Sequence, residues 1–443
     1  MASTVFKGEI WLTGGRSDLY AMYDLAFSFK NADIWHSVDG RTWVQELRLF
    51  GDFFAQNKFV KQPGSIAPWY ERFGHTMDAV DIDGDGEEDV MILLGGYSPS
   101  PSNDQWLTED GTTWVYCGLA PWSARGWHST LVFNNSLHLF GGSPLNNEVW
   151  RLESVRRVNR EAPLTRAAYL SYTFELNWTR LDGAPWVPRV GHQMVSQWYF
   201  DADGGETSAD ARERILLIGG FGGFLQDTPG YDGGYHAYND IWESWDGNNW
   251  TMLTDSPAFD QRAWHTVTVL HTKNNPKIDW SAQRPDRPPR MYVFGGGSIG
   301  FSGESSRRVT VMQGKIDAFY SEDGIAWTKI SYNEGGGSTT VTQYSSQEWA
   351  KGSINSNTVY IGLWGHNVVQ FSPEGEDSNH LFMFGGHETD GGSMLNSVFM
   401  SVGGLICDIH GIACSDNGVC GEGNQGCVCN LHFSGEYCEV SDR

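Results

Sequence analysis

One hairpin frame, written repeatedly into the chain, constrains the fold more than any other feature. Its clearest copy runs from Asn239 and Asp240 through Trp242 to Asp246, Gly247 and Trp250. It reads as a strand, a two-residue Asp-Gly turn and a second strand. Both central residues of a type I′ turn need positive φ, which Asp-Gly supplies between apolar and aromatic runs. The frame recurs from Asp33 through Asp39 and Gly40 to Trp43, from Asn103 through Asp110 and Gly111 to Trp114, and from Asp317 through Asp323 and Gly324 to Trp327. A degenerate copy runs from Asn396 to Cys407, with Gly403 and Gly404 at the turn and Cys407 at the Trp position. A hairpin repeated at long intervals points to radial repetition.

Two further elements recur in fixed order upstream. Apolar runs end in Gly pairs at Gly14, Gly95, Gly141, Gly219, Gly295 and Gly385, each followed by a second Gly. Before them come Arg72 to His75, Arg125 to His128, Arg189 to His192 and Arg262 to His265, with a weaker copy at Trp364 to His366. The order is an Arg-x-x-His strand, a Gly-Gly strand, an Asp-Trp strand and a Trp strand. Four antiparallel strands make one propeller blade. This pattern resembles the kelch repeat over roughly residues 1 to 407, and six Gly pairs imply an all-β, six-bladed kelch-like β-propeller. The resemblance implies that the Gly pair lets strands approach closely, and that Asp, Arg and Trp tie neighbouring blades. The repeated His are then blade-packing groups, with His75, His128, His192 and His265 at equivalent positions. The first blade has no Arg-x-x-His; residues 2 to 8 are expected to supply a short strand. Gly pairs lie 46 to 90 residues apart, against about 50 in a plain kelch repeat. The excess falls in loops at 16–30, 156–176, 221–238, 271–289 and 333–357.

The chain of 443 residues suffices for one large propeller plus a small module. A net charge of -24 argues against nucleic acid and anionic membrane surfaces, because phosphate binding needs clustered Lys and Arg. Cations, basic proteins and neutral glycans fit that charge. No apolar run reaches the length of a membrane span, about 18 residues. Residues 1 to 7 do not have the pattern of a signal peptide.

Asp81, Asp83, Asp85, Gly86, Glu87 and Asp89 form the pattern D-x-D-x-D-G-x-x-D between two strands. Closely spaced carboxylates around a sharp Gly turn can wrap a hard cation in oxygen. Without a cation they repel one another. The loop resembles the calcium loops of integrin-type propellers rather than an EF-hand, which needs flanking helices. That resemblance implies Ca²⁺ held by side-chain oxygens of Asp81, Asp83, Asp85 and Asp89 and the backbone carbonyl of Glu87. A weaker acidic loop at Asp201 and Asp203 lacks the third Asp.

Six of the seven Cys lie in the last 37 residues, as C-x6-C-x5-C-x6-C-x-C-x8-C. A segment this short cannot bury a sufficient core, so disulfides replace it. From sequence alone six Cys allow fifteen connectivities. The spacing resembles an EGF-like module, residues 407–443, after a propeller of residues 1–406. The resemblance implies bridges Cys407–Cys420, Cys414–Cys427 and Cys429–Cys438. By the hairpin alignment Cys407 lies on the outer strand of the last blade. Disulfides imply an oxidising, extracellular or cell-surface location. Sequons at Asn134, Asn177 and Asn249 agree. Cys117 falls outside the framework and is expected as a buried thiol.

Propellers host enzymes and binding modules alike. The S-x-D-G-x-x-W frame resembles a sialidase Asp-box with one residue missing, and a galactose-oxidase-like copper site lacks its His pair. No catalytic residue emerges. The expected role is non-enzymatic adhesion or assembly, with extracellular proteins or glycans as partners. The module types resemble those of attractin-type surface proteins. The alternative is a lectin or a glycan-active oxidase or glycosidase.

Overall fold

The computed structural model describes residues 1–18, 28–40, 42–46, 67–98, 100–159, 172–182, 184–200, 211–222, 236–269, 290–302, 309–315, 317–329, 351–354, 357–360, 363–371, 380–388, 398–400, 418–420, 427–429, 433–434 and 440–441. The architecture is an all-β β-propeller with five blades. The first blade is Ala2–Phe6, Glu9–Asp18, Ser28–Ser37 and Val44–Gln45, hydrogen-bonded in that order. The second is Thr76–Val80, Val90–Ser98, Ser100–Thr108 and Trp114–Leu119. The third is Ser129–Phe133, Ser136–Phe140, Val149–Asn159 and Tyr172–Arg180. The fourth holds Arg189–Val190, Gln193–Phe200, Ala211–Gly222, His236–Ser244 and Thr251–Thr254; the fifth holds Thr266–Val269, Met291–Phe294, Ala318–Ser321 and Thr328–Lys329. Contacts divide the chain into two compact units, and residues of the fourth blade fall in both.

Six blades were expected, and the structure corrects this to five. The sixth Gly pair follows a strand in a sheet of three, Asn367–Phe371, His380–Phe384 and Val398–Met400. The sixth repeat has no Asp-Gly-x-x-Trp hairpin to carry a fourth strand, and residues 401–417 lie outside those described. The short strand expected before the first Gly pair is Ala2–Phe6. It turns back at Lys7 and Gly8, whose φ of 49° and 76° suit a type I′ hairpin.

The run Met91, Ile92, Leu93 and Leu94 shows why the Gly-Gly strands are apolar at every position. All four are fully buried, but on opposite faces. Met91 and Leu93 pack with Phe6, Trp11 and Ile34 of the first blade. Ile92 and Leu94 pack with Leu137, Leu139 and Trp122 at the third. A strand covered on both faces reads as a continuous apolar run rather than an alternating one. At its end a Cβ on Gly95 would meet the backbone oxygens of Arg125 in the next blade at 2.8 Å and of Ser102 in its own at 2.9 Å, so only Gly fits there.

The Arg of the Arg-x-x-His motif is expected to tie neighbouring blades. It does so through its backbone, while the guanidinium stays in its own sheet. Arg72 Nη1 donates to Gly95 O at 2.7 Å and to Asp104 Oδ1 at 2.9 Å, and Nη2 donates to Asp104 Oδ2 at 2.6 Å. Arg262 repeats this with Gly295 O and Asp317. Arg125 uses Gly141 O and Glu148, because the third repeat has Glu where the others have Asp. The physical reason is burial: a guanidinium with no solvent needs a carboxylate within reach, and the Asp-Trp strand of the same sheet supplies one. The link between blades is the Arg backbone carbonyl. It accepts from the second Gly of the preceding pair, Gly15 N to Arg72 O, Gly96 N to Arg125 O, Gly142 N to Arg189 O and Gly220 N to Arg262 O, all at 2.9–3.1 Å.

The four motif His stand at equivalent buried positions, each following a residue with left-handed backbone: Gly74, Trp127, Gly191 and Trp264. His75 Nε2 shares a hydrogen bond with Thr13 of the preceding blade at 2.9 Å, and His128 Nε2 shares one with Thr76 at 3.1 Å. The two-residue type I′ turn expected at Asp-Gly is corrected: Asp110, Asp246 and Asp323 do not adopt positive φ, only the Gly does, and Thr108 pairs with Trp114 across a five-residue connection. Each hairpin turn is closed by its own Ser or Thr. Thr108, Ser244 and Ser321 donate to Asp110, Asp246 and Asp323, and the following Trp indole donates back to the turn Gly carbonyl.

The repeat spacing predicts a loop over 156–176. The strands run further, to Asn159 and from Tyr172, as one long antiparallel ribbon. There Trp178 packs edge-on against Trp122 at 4.5 Å, as Trp114 packs against Trp69 at 4.9 Å. In residues 407–443 the described backbone is two short ribbons, Gly418–Cys420 with Cys427–Cys429 and Phe433–Ser434 with Val440–Ser441. No EGF-like module is evident among the described residues. Such a module is held by covalent bridges rather than an apolar core, and the side chains of its six Cys lie outside the described set. The position of Cys407 and the boundary at 406 also lie outside the described residues.

Candidate metal centre

Strands Thr76–Val80 and Val90–Ser98 pair in register from Thr76↔Leu94 to Val80↔Val90, so residues 81–89 form the connection between them. Asp89 N donates to Val80 O at 3.0 Å and closes the loop at its base. Gly84 and Gly86, at φ 83° and 101°, provide the left-handed turns. Short carboxylate side chains then bond to backbone N–H groups inside the loop, as Asp does in turns. Gly84 N donates to Asp81 Oδ1 at 2.6 Å, Gly86 N to Asp81 Oδ2 at 2.9 Å, and Ile82 N to Asp89 Oδ2 at 2.8 Å.

The folded loop brings Asp81, Asp83 and Asp89 together, with one carboxylate oxygen from each lying within 4.8 Å of the others. Two oxygens bound to a single Ca²⁺ at about 2.4 Å can be no more than about 4.8 Å apart. The donor set is therefore compact enough for one such ion. It is also hard and anionic, which suits Ca²⁺. Asp81 is buried, Asp89 half-buried and Asp83 exposed, so the set opens to solvent on one side.

Asp85 is not gathered into this group. Its Oδ1 accepts from Glu87 N at 2.8 Å, a local turn bond. Glu87 is exposed. A neighbour not foreseen from sequence is Asn135 of the third blade, whose Nδ2 donates to Asp81 Oδ2 at 3.3 Å. It sits in the Asn134-Asn135 turn, both residues left-handed at φ 48° and 58°. That Asn-Asn pair between two strands was the available signal.

All three sequon residues, Asn134, Asn177 and Asn249, are exposed. Cys117 is half-buried against the apolar cluster of the second and third blades, and its Sγ donates to Val115 O at 3.4 Å. The acidic loop at Asp201 and most of the Gly/Tyr-rich loop over 221–238 lie outside the described residues. No helix among the described residues is long and apolar enough to cross a membrane.

No family model matches the chain, and no curated protein matches it in sequence. Among solved structures, that of YjhT is similar over 90% of this chain and 93% of its own, at 12% identity and a TM-score of 0.46.

Proposed function

We propose that this chain is an extracellular or cell-surface propeller of kelch type, stabilised by calcium and followed by an EGF-like module, with a binding or assembly role. The observation that carries the calcium reading is the convergence of Asp81, Asp83 and Asp89 on a space of single-ion size. Asp85 and the Glu87 carbonyl complete the shell by a local turn of the loop tip, since Ca²⁺ takes six to eight oxygens. The ion neutralises part of a chain that carries -24 overall. It also stiffens the loop that meets the third blade at Asn135. Calorimetry with Ca²⁺ should show saturable binding in the wild type that disappears in Asp83→Ala. Absence of heat in the wild type would reject the reading.

The cysteine framework supports the location. Peptide mapping of the protein secreted from eukaryotic cells, digested without reduction, should recover Cys407–Cys420, Cys414–Cys427 and Cys429–Cys438, with glycan on the exposed sequons. Six free thiols in residues 407–443 would overturn both the module and the compartment.

A further inference from the structure

The first blade carries a cluster of titratable side chains outside the candidate metal centre. His36, on strand Ser28–Ser37, has a carboxylate at each ring nitrogen. Nδ1 is 2.5 Å from Oε2 of Glu9, which begins strand Glu9–Asp18. Nε2 is 3.1 Å from Oε1 of Glu46, the residue just past the outer strand Val44–Gln45. The pairs Trp11↔His36 and His36↔Val44 set the three strands side by side, and the Trp11 indole stacks on the imidazole at 4.6 Å. A neutral imidazole has one N–H and one lone pair, whereas an imidazolium donates from both nitrogens. Carboxylates only accept, so the protonated ring alone satisfies both.

The other blades show what these positions hold elsewhere. After the Asp-x-Trp frame, the place of His36 is taken by Leu107, Arg151, Glu243 and Tyr320. Five residues before the Gly pair, the place of Glu9 is taken by Val90, Ser136, Arg214 and Arg290. The pair is apolar in the second blade. In the fourth it is a permanent ion pair, Arg214 Nη1 to Glu243 Oε2 at 2.9 Å. The first blade alone puts here an ion pair that depends on the charge of an imidazole, the side chain that titrates nearest neutrality. The strand it holds is short. Val44–Gln45 makes two register pairs, and Glu46 N donates to Ile34 O at 2.9 Å. The outer strands Trp114–Leu119 and Tyr172–Arg180 have six and nine residues. A segment with so few backbone bonds opens locally at low cost.

We propose that Glu9, His36 and Glu46 form a proton-operated clamp on the outer strand of the first blade. With the ring protonated, one network ties strand Glu9–Asp18, strand Ser28–Ser37 and the end of Val44–Gln45. On losing its proton the ring keeps Nδ1–H on Glu9, the shorter contact. It then turns the Nε2 lone pair on the Glu46 carboxylate, and Glu46 lets go. The other charged groups around it are engaged elsewhere. The hairpin of the second blade, whose Gly111 sits on Trp11, carries Asp110, which accepts from Thr112 N and Thr113 N at 2.8 and 2.5 Å. Glu109 beside it lies 3.5 Å from Arg157, and Lys7 donates to the Glu109 carbonyl. Asp39 accepts from Thr42 N at 2.6 Å. The clamp acts in the sense opposite to the motif His, whose burial favours the neutral ring. It holds at mildly acidic pH and slackens as pH rises. It does not depend on calcium.

The test is amide hydrogen exchange of the full chain at about pH 6 and about pH 8, which bracket the usual range of an imidazole. Each rate is divided by its intrinsic value at that pH. Protection over Val44 to Glu46 should be about tenfold lower at the higher pH, the equivalent of one hydrogen bond to a charged group. The outer strand Thr251–Thr254 of the fourth blade, beside the permanent ion pair, should not change between them. His36→Gln should show equal protection of Val44 to Glu46 at the two pH values. In Glu46→Gln the amide can donate to the neutral ring, so protection should persist at the higher pH. Equal protection of Val44 to Glu46 in the wild type at both pH values, or a dependence that survives in His36→Gln, would overturn the proposal.

Discussion

Acidification from about pH 7 to about pH 5 should destabilise the blades more than any single substitution. His128 and His192 are held down to about 3, His138 and His366 to about 4, and His75 well below its ordinary value. Burial is the largest cause in each; nearby Arg72, Arg125 and Arg189 add to it at His75, His128 and His192. In the folded state these rings stay neutral, whereas in the unfolded chain they take up a proton near pH 6.5. The unfolded state therefore binds more protons below that pH. The stability is fully present above about 6.5 and is lost as pH falls toward the folded values, at roughly 1 kcal/mol per pH unit for each His. Asp78 acts in the opposite sense. Burial raises it to about 6 despite the hydroxyl of Thr130, so its protonation offsets about one His in the same window. The net of about four protons predicts a melting temperature several degrees lower at pH 5. Replacing His128 and His192 together by Gln should flatten the dependence. Superimposable melts at the two pH values would contradict the buried, neutral assignment.

The second large effect concerns the Arg at the head of each repeat. Arg72→Met removes a side chain that is 2% exposed and leaves the Gly95 carbonyl and Asp104 without their cation. Burial alone would raise Asp104, but its hydrogen bonds and charge interaction with Arg72 outweigh that and hold it below the usual carboxylate range. Removing one partner of a buried pair typically costs about 3–5 kcal/mol. Adding Asp104→Asn should recover part of the loss, since the amide oxygen can still accept from the Trp106 indole and needs no counter-charge. Denaturant titration of wild type, single and double variants checks this. A loss under about 1 kcal/mol in Arg72→Met would show that the pair carries little.

The repeats were legible because their residues do similar local work in each copy. Asp-Gly-x-x-Trp is a turn whose own side chains close it, as at Thr108, Asp110 and Trp114. The apolar run before each Gly pair is forced by burial on both faces. What could not be read was which atoms cross between blades. Arg72 appears in the sequence as a charged group seeking a partner, but its backbone carbonyl makes the crossing bond. Ala67 and Trp69, Ala120 and Trp122, Ala184 and Trp186 also form a repeated Ala-Pro-Trp motif, whose role only the fold reveals. Its Trp meets the hairpin Trp edge-on, as in Trp186 against Trp250 at 4.3 Å. The third blade lacks the Asp-Gly signal, so its long ribbon read as a loop. At the candidate site the carboxylates were visible from spacing. The local turn bond that takes up Asp85 and the approach of Asn135 from the third blade are not encoded by spacing.

Thermal unfolding of the wild type in excess Ca²⁺ and in excess chelator, with Asp83→Ala beside it, tests the calcium-stabilised propeller most directly. A ligand that binds only the folded state adds about 2.7 kcal/mol at a hundredfold excess over its Kd. Calcium should therefore raise the wild-type melting temperature by several degrees and leave Asp83→Ala unmoved. Identical wild-type curves in calcium and in chelator would contradict the account.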